Sequence, residues 1–581
     1  MRNWLAIVLM GATMIAQAQS ADDKFRALYE REWNWRLQES PQLATNVGVH
    51  DYDTRLESVT EKTQLEHKRY LQDVLKQLAT IDRAQLTPAQ QVNYAIYKDQ
   101  ITNAVGSIEV QDYLLPLNSD SSFYGDLAQL PQSLNFATIS DYRNYIARLN
   151  DVPRYFDENI ELMRLGIKRG ITVPQVVLTG RDAALRGQVE IKQTSDSGFY
   201  APFKKLPDSI SASDAEQLRA EASKAIHDHV IPAYAKVLKF MQNEYVSKAR
   251  KSIAAYALPN GKNFYQQQIR TYTTLNLSPE EIHAIGLKEV ARIHTEMETI
   301  IKDVKFSGDF AAFLKFLRTD PQFYAKTPEE LLMRASWIAK RIDAQLPHFF
   351  GKLPRQPFGI APVAPEIAPF YTSGRYAGAA EGSHAAGFYW VNTYDLPSRT
   401  LYTLPSLTLH ESAPGHHTQG ALANEQGEQP PFRRYSYISA FGEGWALYAE
   451  HLGVEMGIYQ TPYENFGRLT YEMWRACRLV VDTGMHAKGW TREQALAFMH
   501  DNTALSEHEI ETETDRYISW PGQALSYKLG ELKIRELRAS AEKQLGAKFD
   551  IRAFHDAVLS LGSVPLPLLE ERINAFIAES H

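Results

Sequence analysis

The chain has 581 residues, of which 44% are hydrophobic, and its formal net charge of −7 is small for this length. Acidic and basic residues are interspersed, so nothing indicates a nucleic-acid surface or a charged membrane patch. The only cysteine, Cys477, excludes an intramolecular disulfide, and the fold must therefore be stabilised by its apolar core.

The first 18 residues have the features of an export signal. Arg2 gives a positive start, Leu5 to Ile15 supply a short apolar stretch, and Ala16-Gln17-Ala18 offers small residues for cleavage. The apolar stretch is well short of the roughly 20 residues that a membrane-spanning helix needs. A lipid anchor would need a cysteine just after the signal, where this sequence has Gln19. We expect a soluble periplasmic or extracellular protein without a membrane anchor, which begins near Gln19.

Helix-start signals recur along the chain, each with a hydroxyl residue three positions before Glu or Gln. The four sites are Thr87-Pro88-Ala89-Gln90, Ser278-Pro279-Glu280-Glu281, Thr327-Pro328-Glu329-Glu330 and Thr491-Arg492-Glu493-Gln494. After the second site, apolar residues from Ile282 to Met297 recur at helical spacing, and similar spacing fills Asp22 to Leu86 and Ala215 to Met241. The sequence predicts a mainly α-helical protein.

Strand signals are few. The clearest is Gly387 to Thr393, which is rich in aromatic and β-branched residues. Pro354 to Ala386 is rich in Pro, Gly, Ala and Ser, which predicts an irregular segment on the surface or along a cleft. Domain boundaries are poorly marked. We divide the mature chain into a helical N-terminal lobe, 19–250, and a catalytic lobe, 251–581, with one continuous domain as the alternative.

The chemistry is concentrated in the stretch from Leu409 to Gln419. His410-Glu411 begins like the HExxH zinc motif, in which two histidines one helical turn apart bind the metal and the glutamate activates water. Here the next histidines stand at i+6 and i+7, and a regular helix would turn i+6 about 240° away from His410. Pro414-Gly415 can distort the helix and loop out two residues. His416 then becomes the second ligand, with His417 as the alternative or as a substrate and oxyanion contact.

A second segment supplies a candidate third ligand. Gly442 to Glu450 resembles the NEGFAxYxE helix of the gluzincin metallopeptidases, and this resemblance implies that Glu443 binds zinc. The departure is Gly442, where those enzymes have Asn. Glu450 lies two turns beyond Glu443 on the same helix face, so it can orient a ligand histidine through a hydrogen bond.

Several blocks together resemble a large bacterial family of unknown function, made of exported proteins and lipoproteins with an HExxPGHH signature. The blocks are Leu258 to Gly261, Leu277 to His283, Phe388 to Asn392, His410 to Gln419, Glu443 to Glu450, Arg516-Tyr517 and Pro521 to Ala524. The resemblance covers nearly the whole mature chain. It implies a large, helix-rich, zincin-like metallopeptidase fold with a small β element beside the helix of the motif. It names no substrate.

Further donors for an oxyanion are expected after the motif. Arg478, Asp482 and His486 are spaced four apart on one face of a predicted helix, and Arg516, Tyr517 and Tyr527 flank the turn at Pro521-Gly522. An ordinary buried hydrogen bond is the alternative role for each. Our first choices as catalytic residues are His486 and Tyr517.

These residues predict a zinc hydrolase, most simply a peptidase, with one Zn²⁺ per chain and Glu411 as general base. The strand Gly387 to Thr393 could pair with an extended peptide substrate or serve only as a core strand. A zinc hydrolase of small amides and a non-catalytic metal-binding protein are the alternatives. The residues leave the oligomeric state, the substrate length and the side-chain preference open.

Overall fold

The computed structural model describes residues 20–119, 121–180, 182–365, 368–379 and 385–580. Helices make up 71% of the structure and strands 3%, which confirms the prediction of a mainly helical fold. The predicted export signal, 1–18, lies outside the described residues. Among the described helices, none has both the length and the apolar character needed to cross a bilayer.

The helices of the first half follow one another with short connections. They are α1 (Ala21–Glu39), α2 (Pro41–Asn46), α3 (Glu61–Ala79), α4 (Pro88–Glu109), α5 (Phe123–Ala128), α6 (Leu130–Ser133), α7 (Ile139–Arg169), α8 (Ala183–Val189), α9 (Ala201–Lys204), α10 (Ala212–Ala225), α11 (Ile231–Phe240), α12 (Val246–Lys248), α13 (Gly261–Thr273), α14 (Pro279–Asp303), α15 (Phe310–Thr319) and α16 (Pro328–Phe349). Single π-helical turns, Ile226–Val230 and Met241–Tyr245, connect α10, α11 and α12 into one continuous helix.

The helices of the second half surround the motif. They are α17 (Leu404–Glu411), α18 (His416–Asn424), α19 (Pro431–Arg434), α20 (Ser439–Glu455), α21 (Pro462–Ala487), α22 (Arg492–Asn502), α23 (Glu507–Ser519), α24 (Ser526–Leu545), α25 (Ile551–Leu559) and α26 (Leu566–Ser580).

The four predicted helix starts coincide with α4, α14, α16 and α22. Ser278 and Thr491 form reciprocal capping boxes with Glu281 and Gln494. Thr87 precedes α4 without capping it, because its hydroxyl donates instead to Asp22 of α1 at 2.8 Å. The sequence pattern therefore located the start of α4 correctly. The hydroxyl of Thr87, however, contacts another helix instead of capping its own.

A small sheet lies beside α17. Within the described residues it has three strands, β1 (Phe358–Pro362), β2 (Gly374–Ala377) and β3 (Gly387–Val391). Their order is β1-β3-β2, with β1 parallel and β2 antiparallel to β3. The prediction of a strand from Gly387 is confirmed.

Two predictions about this region are wrong. The segment Pro354 to Ala386 is not irregular throughout, since it contains β1 and β2. The first of the two roles considered for Gly387 to Thr393, pairing with an extended peptide, needs a free strand edge, and β3 has none because it pairs on both sides in the described sheet. Its alternative role as a core strand agrees with the full burial of Tyr389 and Val391.

Among the described residues, two large apolar cores and a smaller third one form the interior. One joins α7, α10 and α11 to α14 and α21, and the other joins α1, α3 and α4 to α16, α20, α24 and α26. Each core thus takes residues from both sides of position 250. The division into lobes at that position stays a prediction.

The two helices next to the motif are packed unusually closely. A Cβ added at Gly444 of α20 would lie 2.5 Å from the carbonyl carbon of Gly530 in α24. At Gly530 a Cβ would lie 2.0 Å from the carbonyl oxygen of Ala440. The two helices therefore meet backbone to backbone at a pair of glycines.

A buried ionic network lies between α14, α21 and α24. The ammonium of Lys528, which is fully buried, lies 2.8 Å from Glu472, 2.8 Å from Glu531 and 3.2 Å from Glu289. The surrounding carboxylates raise the pKa of Lys528 against the opposing effect of burial. The network ties together the helices that support the site.

Candidate metal centre

The segment between α17 and α18 brings His416 back towards His410. Helix α17 ends at Glu411, four residues intervene, and α18 begins at His416. The N–H of Gly415 donates to the carbonyl of Leu409, and the indole of Trp445 donates to the carbonyl of Pro414 at 2.8 Å. The rings of His410 and His416 come to lie 4.8 Å apart and nearly perpendicular. The predicted interruption by Pro414-Gly415 is present in the structure.

Helix α20 places Glu443 against both histidines. Its Oε2 lies 3.4 Å from Nε2 of His410 and 3.5 Å from Nε2 of His416. His417 turns elsewhere: its Nδ1 lies 3.1 Å from the hydroxyl of Tyr376. Of the two adjacent histidines, His416 is therefore the one that faces Glu443.

This donor set fits a zinc ion. Bonds of about 2.0–2.1 Å at tetrahedral angles place ligand atoms about 3.3–3.4 Å from one another, which is close to the two separations measured at Glu443. Glu411 is adjacent, since its carboxylate and the ring nitrogens of His410 and His416 offer atoms that all lie within 4.8 Å of one another. Two imidazoles and a carboxylate are a usual catalytic zinc set, and a second carboxylate beside them is what a general base requires.

Glu450 contacts His410, one of the predicted ligand histidines. Its Oε1 lies 2.8 Å from Nδ1 of His410, so the ring donates through Nδ1 and directs Nε2 towards Glu443. The guanidinium of Arg475 lies 3.7 Å from the same oxygen and stacks on the rings of Tyr471 and Trp474. Glu450 is almost completely buried, so its contacts are made inside the protein.

The ionisable groups of the centre stabilise each other's charged forms. Burial opposes a charge on His410, but its hydrogen bonds to Glu443 and Glu450 raise its pKa to about 9. Burial likewise opposes the charge of Glu443, and the two histidines hold its pKa well below the usual range. In the metal-free protein a proton on His410 is therefore stabilised, and a metal ion has to displace it on binding.

Glu411 is oriented by β2. Its Oε2 accepts the backbone N–H of Tyr376 at 2.8 Å. Because this N–H points away from β3, the outer edge of β2 faces the motif. His417 packs on the same sheet, where its ring centroid lies 4.7 Å from that of Phe358 in β1. Burial lowers the pKa of His417.

Tyr437 is a site residue that the sequence analysis missed. A Cβ added at Gly442 would lie 2.3 Å from the hydroxyl of Tyr437, so the phenol occupies the space that a side chain at position 442 would need. Desolvation of its hydroxyl end, which packs against Gly442, and the charge of Glu443 raise the pKa of Tyr437 well above its usual value, although the residue as a whole is 60% exposed. The sequence feature that could have indicated Tyr437 is Gly442, which stands where gluzincins have Asn and leaves room for the side chain of another residue.

The structure does not bring our first choices for catalytic donors to this centre. His486 accepts the N–H of Ala255 through Nδ1 at 3.2 Å, and its Nε2 donates to the carbonyl of Tyr517 at 2.9 Å, so both ring nitrogens are occupied by backbone groups. Burial lowers the pKa of His486 to about 4. The hydroxyl of Tyr517 contacts Trp474, Arg478 and Glu513 at 2.8 to 2.9 Å. We therefore leave both residues out of the candidate centre.

The remaining candidates from that region have supporting contacts. Asp482 accepts from the hydroxyl of Tyr265 at 2.5 Å and from the N–H of Gly522 at 3.2 Å, which fixes the turn after Pro521. Arg478 stacks 4.4 Å above the ring of Tyr527. Arg516 donates to the side chain of Gln523 at 3.2 Å.

A bacterial protein family of unknown function, DUF885, matches residues 41–573. The chain belongs to DUF885. Among solved structures, a candidate lipoprotein from Colwellia psychrerythraea is 29% identical, with a TM-score of 0.88 and coverage of 97% of this chain and 100% of that one. A candidate lipoprotein of unknown function from Shewanella oneidensis is 20% identical and shares the fold, with a TM-score of 0.74 over 95% of this chain and 99% of that one. No curated protein matches this DUF885 chain.

Proposed function

We propose that this DUF885 protein is a zinc-dependent hydrolase that cleaves peptide bonds, with the metal held by His410, His416 and Glu443. The observation that carries the proposal is the approach of two Nε2 atoms to one carboxylate oxygen, at 3.4 and 3.5 Å, with Glu411 beside them. A purely structural zinc site has no use for that additional carboxylate. The similarity to zincin and gluzincin peptidases is part of this proposal.

When bound, zinc supplies Lewis-acid chemistry, which acidifies water and polarises an amide carbonyl. Glu411, fixed by the N–H of Tyr376, takes the proton of the attacking water and delivers it to the departing amine. The phenol of Tyr437, whose high pKa keeps it protonated, donates a hydrogen bond to the developing oxyanion. Glu450 keeps His410 in the tautomer that presents Nε2.

A peptide substrate is favoured by the strand next to Glu411. The outer edge of β2 faces the motif, and an extended peptide can pair with such an edge through main-chain hydrogen bonds. This assigns to β2 the role that the sequence suggested for β3. The lipoprotein descriptions of the two similar structures support export of this chain.

Metal analysis and one conservative variant test the proposal. Purified protein should contain about one zinc per chain, and His410→Ala, His416→Ala and Glu443→Ala should lose it, while His417→Ala should keep it. Glu411→Gln should bind zinc normally and fail to cleave a peptide library that the wild type cleaves. Equal cleavage by wild type and Glu411→Gln would exclude Glu411 as the base. A wild type that takes up no added zinc would overturn the proposal.

A further inference from the structure

A cavity of about 820 Å³ lies beside Glu443. Its wall comes from α1, α3 and α4 on one side, and from α13, α20 and the segment 432–439 on the other. We call this space the chamber; representative wall residues are Trp33, His67, Asp99, Tyr272, Tyr437 and Glu443. The chamber and the candidate metal centre therefore share Glu443, and Tyr437 extends from one into the other.

The size of the chamber limits what can enter it. Volumes of roughly 300–1,000 Å³ hold ligands of drug size, which corresponds to a peptide of about four or five residues. Short peptides match this volume, whereas a long chain or a folded domain exceeds it.

Part of the wall is aromatic and suits apolar side chains. Trp33 stacks on Tyr435 with ring centroids 6.2 Å apart and planes 13° from parallel, and Trp520 donates to the hydroxyl of Tyr272 at 2.5 Å. Tyr435 and Tyr437 are 44% and 60% exposed, so these rings are open to an occupant of the chamber. Exposed aromatic rings in a concave wall are typical of ligand sites.

The charged groups of the wall are mostly paired with each other. Arg36 binds Glu32 through two hydrogen bonds of 2.9 Å, and His67 lies 3.1 Å from Glu39. These two pairs contribute little net charge to the chamber.

Asp99 also lines the chamber but, unlike these groups, forms no ion pair within the described part of the chain. Its carboxylate accepts the amide of Asn103 at 3.2 Å, and burial raises its pKa to about 6 against the opposing charge of Arg270. A carboxylate that burial penalises in this way is stabilised by an arriving cation. The wall therefore offers a negative group to the positive end of a peptide.

We propose that the chamber is the substrate site for short peptides with a free amino terminus, and that Asp99 binds the terminal ammonium. This inference rests on the proposed peptidase function and deepens it. It assigns the choice of substrate to the N-terminal helices α1, α3 and α4, which carry none of the zinc ligands.

A length series tests the first part. Zinc-loaded protein is incubated with peptides of 2 to 12 residues, each with a free and an acetylated amino terminus, and with an unfolded protein substrate such as casein. Cleavage should be fastest up to about five residues, should fall steeply beyond, and should be negligible for casein. Acetylation should raise KM for the short peptides about tenfold, the loss expected for one charge-assisted hydrogen bond. Cleavage that does not depend on length would overturn the chamber as the substrate site.

Asp99→Asn tests the second part. It should raise KM about tenfold for free peptides and leave KM unchanged for acetylated ones. The control is Asp157→Asn on α7, a partly exposed aspartate outside the chamber that pairs with Lys236. Equal effects of Asp99→Asn on free and acetylated peptides would overturn the assignment of the ammonium to Asp99.

The two proposals can fail separately. If the protein cleaves peptides regardless of their length and of their terminal ammonium, the peptidase proposal stands and the inference about the chamber is wrong. If the wild type cleaves no peptide, the peptidase proposal falls, and calorimetric titration of the free and acetylated pentapeptides into wild type and Asp99→Asn decides whether the chamber binds them. Binding that requires both the free terminus and Asp99 would support the chamber, and absence of binding would overturn it.

Discussion

Gly415 should be essential for bringing His410 and His416 together. A Cβ at this position would lie 2.0 Å from the carbonyl oxygen of His410 and 2.4 Å from that of Leu409. Carbon and carbonyl oxygen normally keep about 3.3 Å or more between them, so Gly415→Ala must move the backbone by roughly 1.3 Å. Both obstructing atoms belong to the backbone, so no side chain can yield.

This displacement exceeds the roughly 0.5 Å within which a site of this kind tolerates error in its ligands. We expect Gly415→Ala to weaken zinc binding at least about 100-fold and to cost about 1–3 kcal/mol of unfolding free energy. Zinc titration by calorimetry, with thermal unfolding of the metal-free protein, measures both quantities.

The matched control is Gly420→Ala, five residues further along α18. Its added Cβ would meet its nearest neighbour, Cε1 of Tyr376, at 3.7 Å, which is an ordinary contact. This variant should bind zinc like the wild type and gain up to about 1 kcal/mol from the helix propensity of alanine. A folded Gly415→Ala protein with wild-type zinc affinity would refute the reasoning.

Three further outcomes follow from buried groups. Glu450→Gln should weaken zinc binding about 10- to 100-fold in a titration, whereas Glu455→Gln on the same helix should not. Burial lowers the pKa of His555 to about 4. The stability that depends on a neutral His555 is therefore complete above pH 6.5 and is lost as the pH falls towards 4. Between these pH values the unfolding free energy of the wild type, measured in urea, should fall by about 3 kcal/mol more than that of His555→Gln. Lys528→Met should cost about 3–5 kcal/mol by stranding buried carboxylates, against almost nothing for Lys543→Met on the exposed face of α24.

Features encoded by neighbouring residues could be predicted from the sequence. The starts of α14 and α22 depend on a cap and a partner three residues away, and both were located correctly. The approach of His410 and His416 depends on the Pro414-Gly415 interruption between them. The contact between His410 and Glu450 could be predicted from helical periodicity and a family resemblance alone.

Features that depend on distant segments could not be predicted in this way. Tyr376 orients Glu411 through a backbone N–H, which leaves no trace in the identity of its side chain. Strand β2 is held by its pairing to β3 and has no alternating pattern of its own. His486 does lie on a helix, but periodicity gives the face of a helix and not the neighbour that this face meets, which for His486 is the backbone of Tyr517.

The glycine contact between α20 and α24 has a mechanical consequence. No layer of side chains separates Gly444 from Gly530, so the interface has nothing that could be compressed or could rearrange its rotamers. Any displacement of α24 therefore displaces α20, the helix that carries Glu443 and Glu450, by a similar distance. A substitution at Gly530 should therefore weaken metal binding as the loss of a proposed ligand would, although this residue lies outside the proposed ligand set.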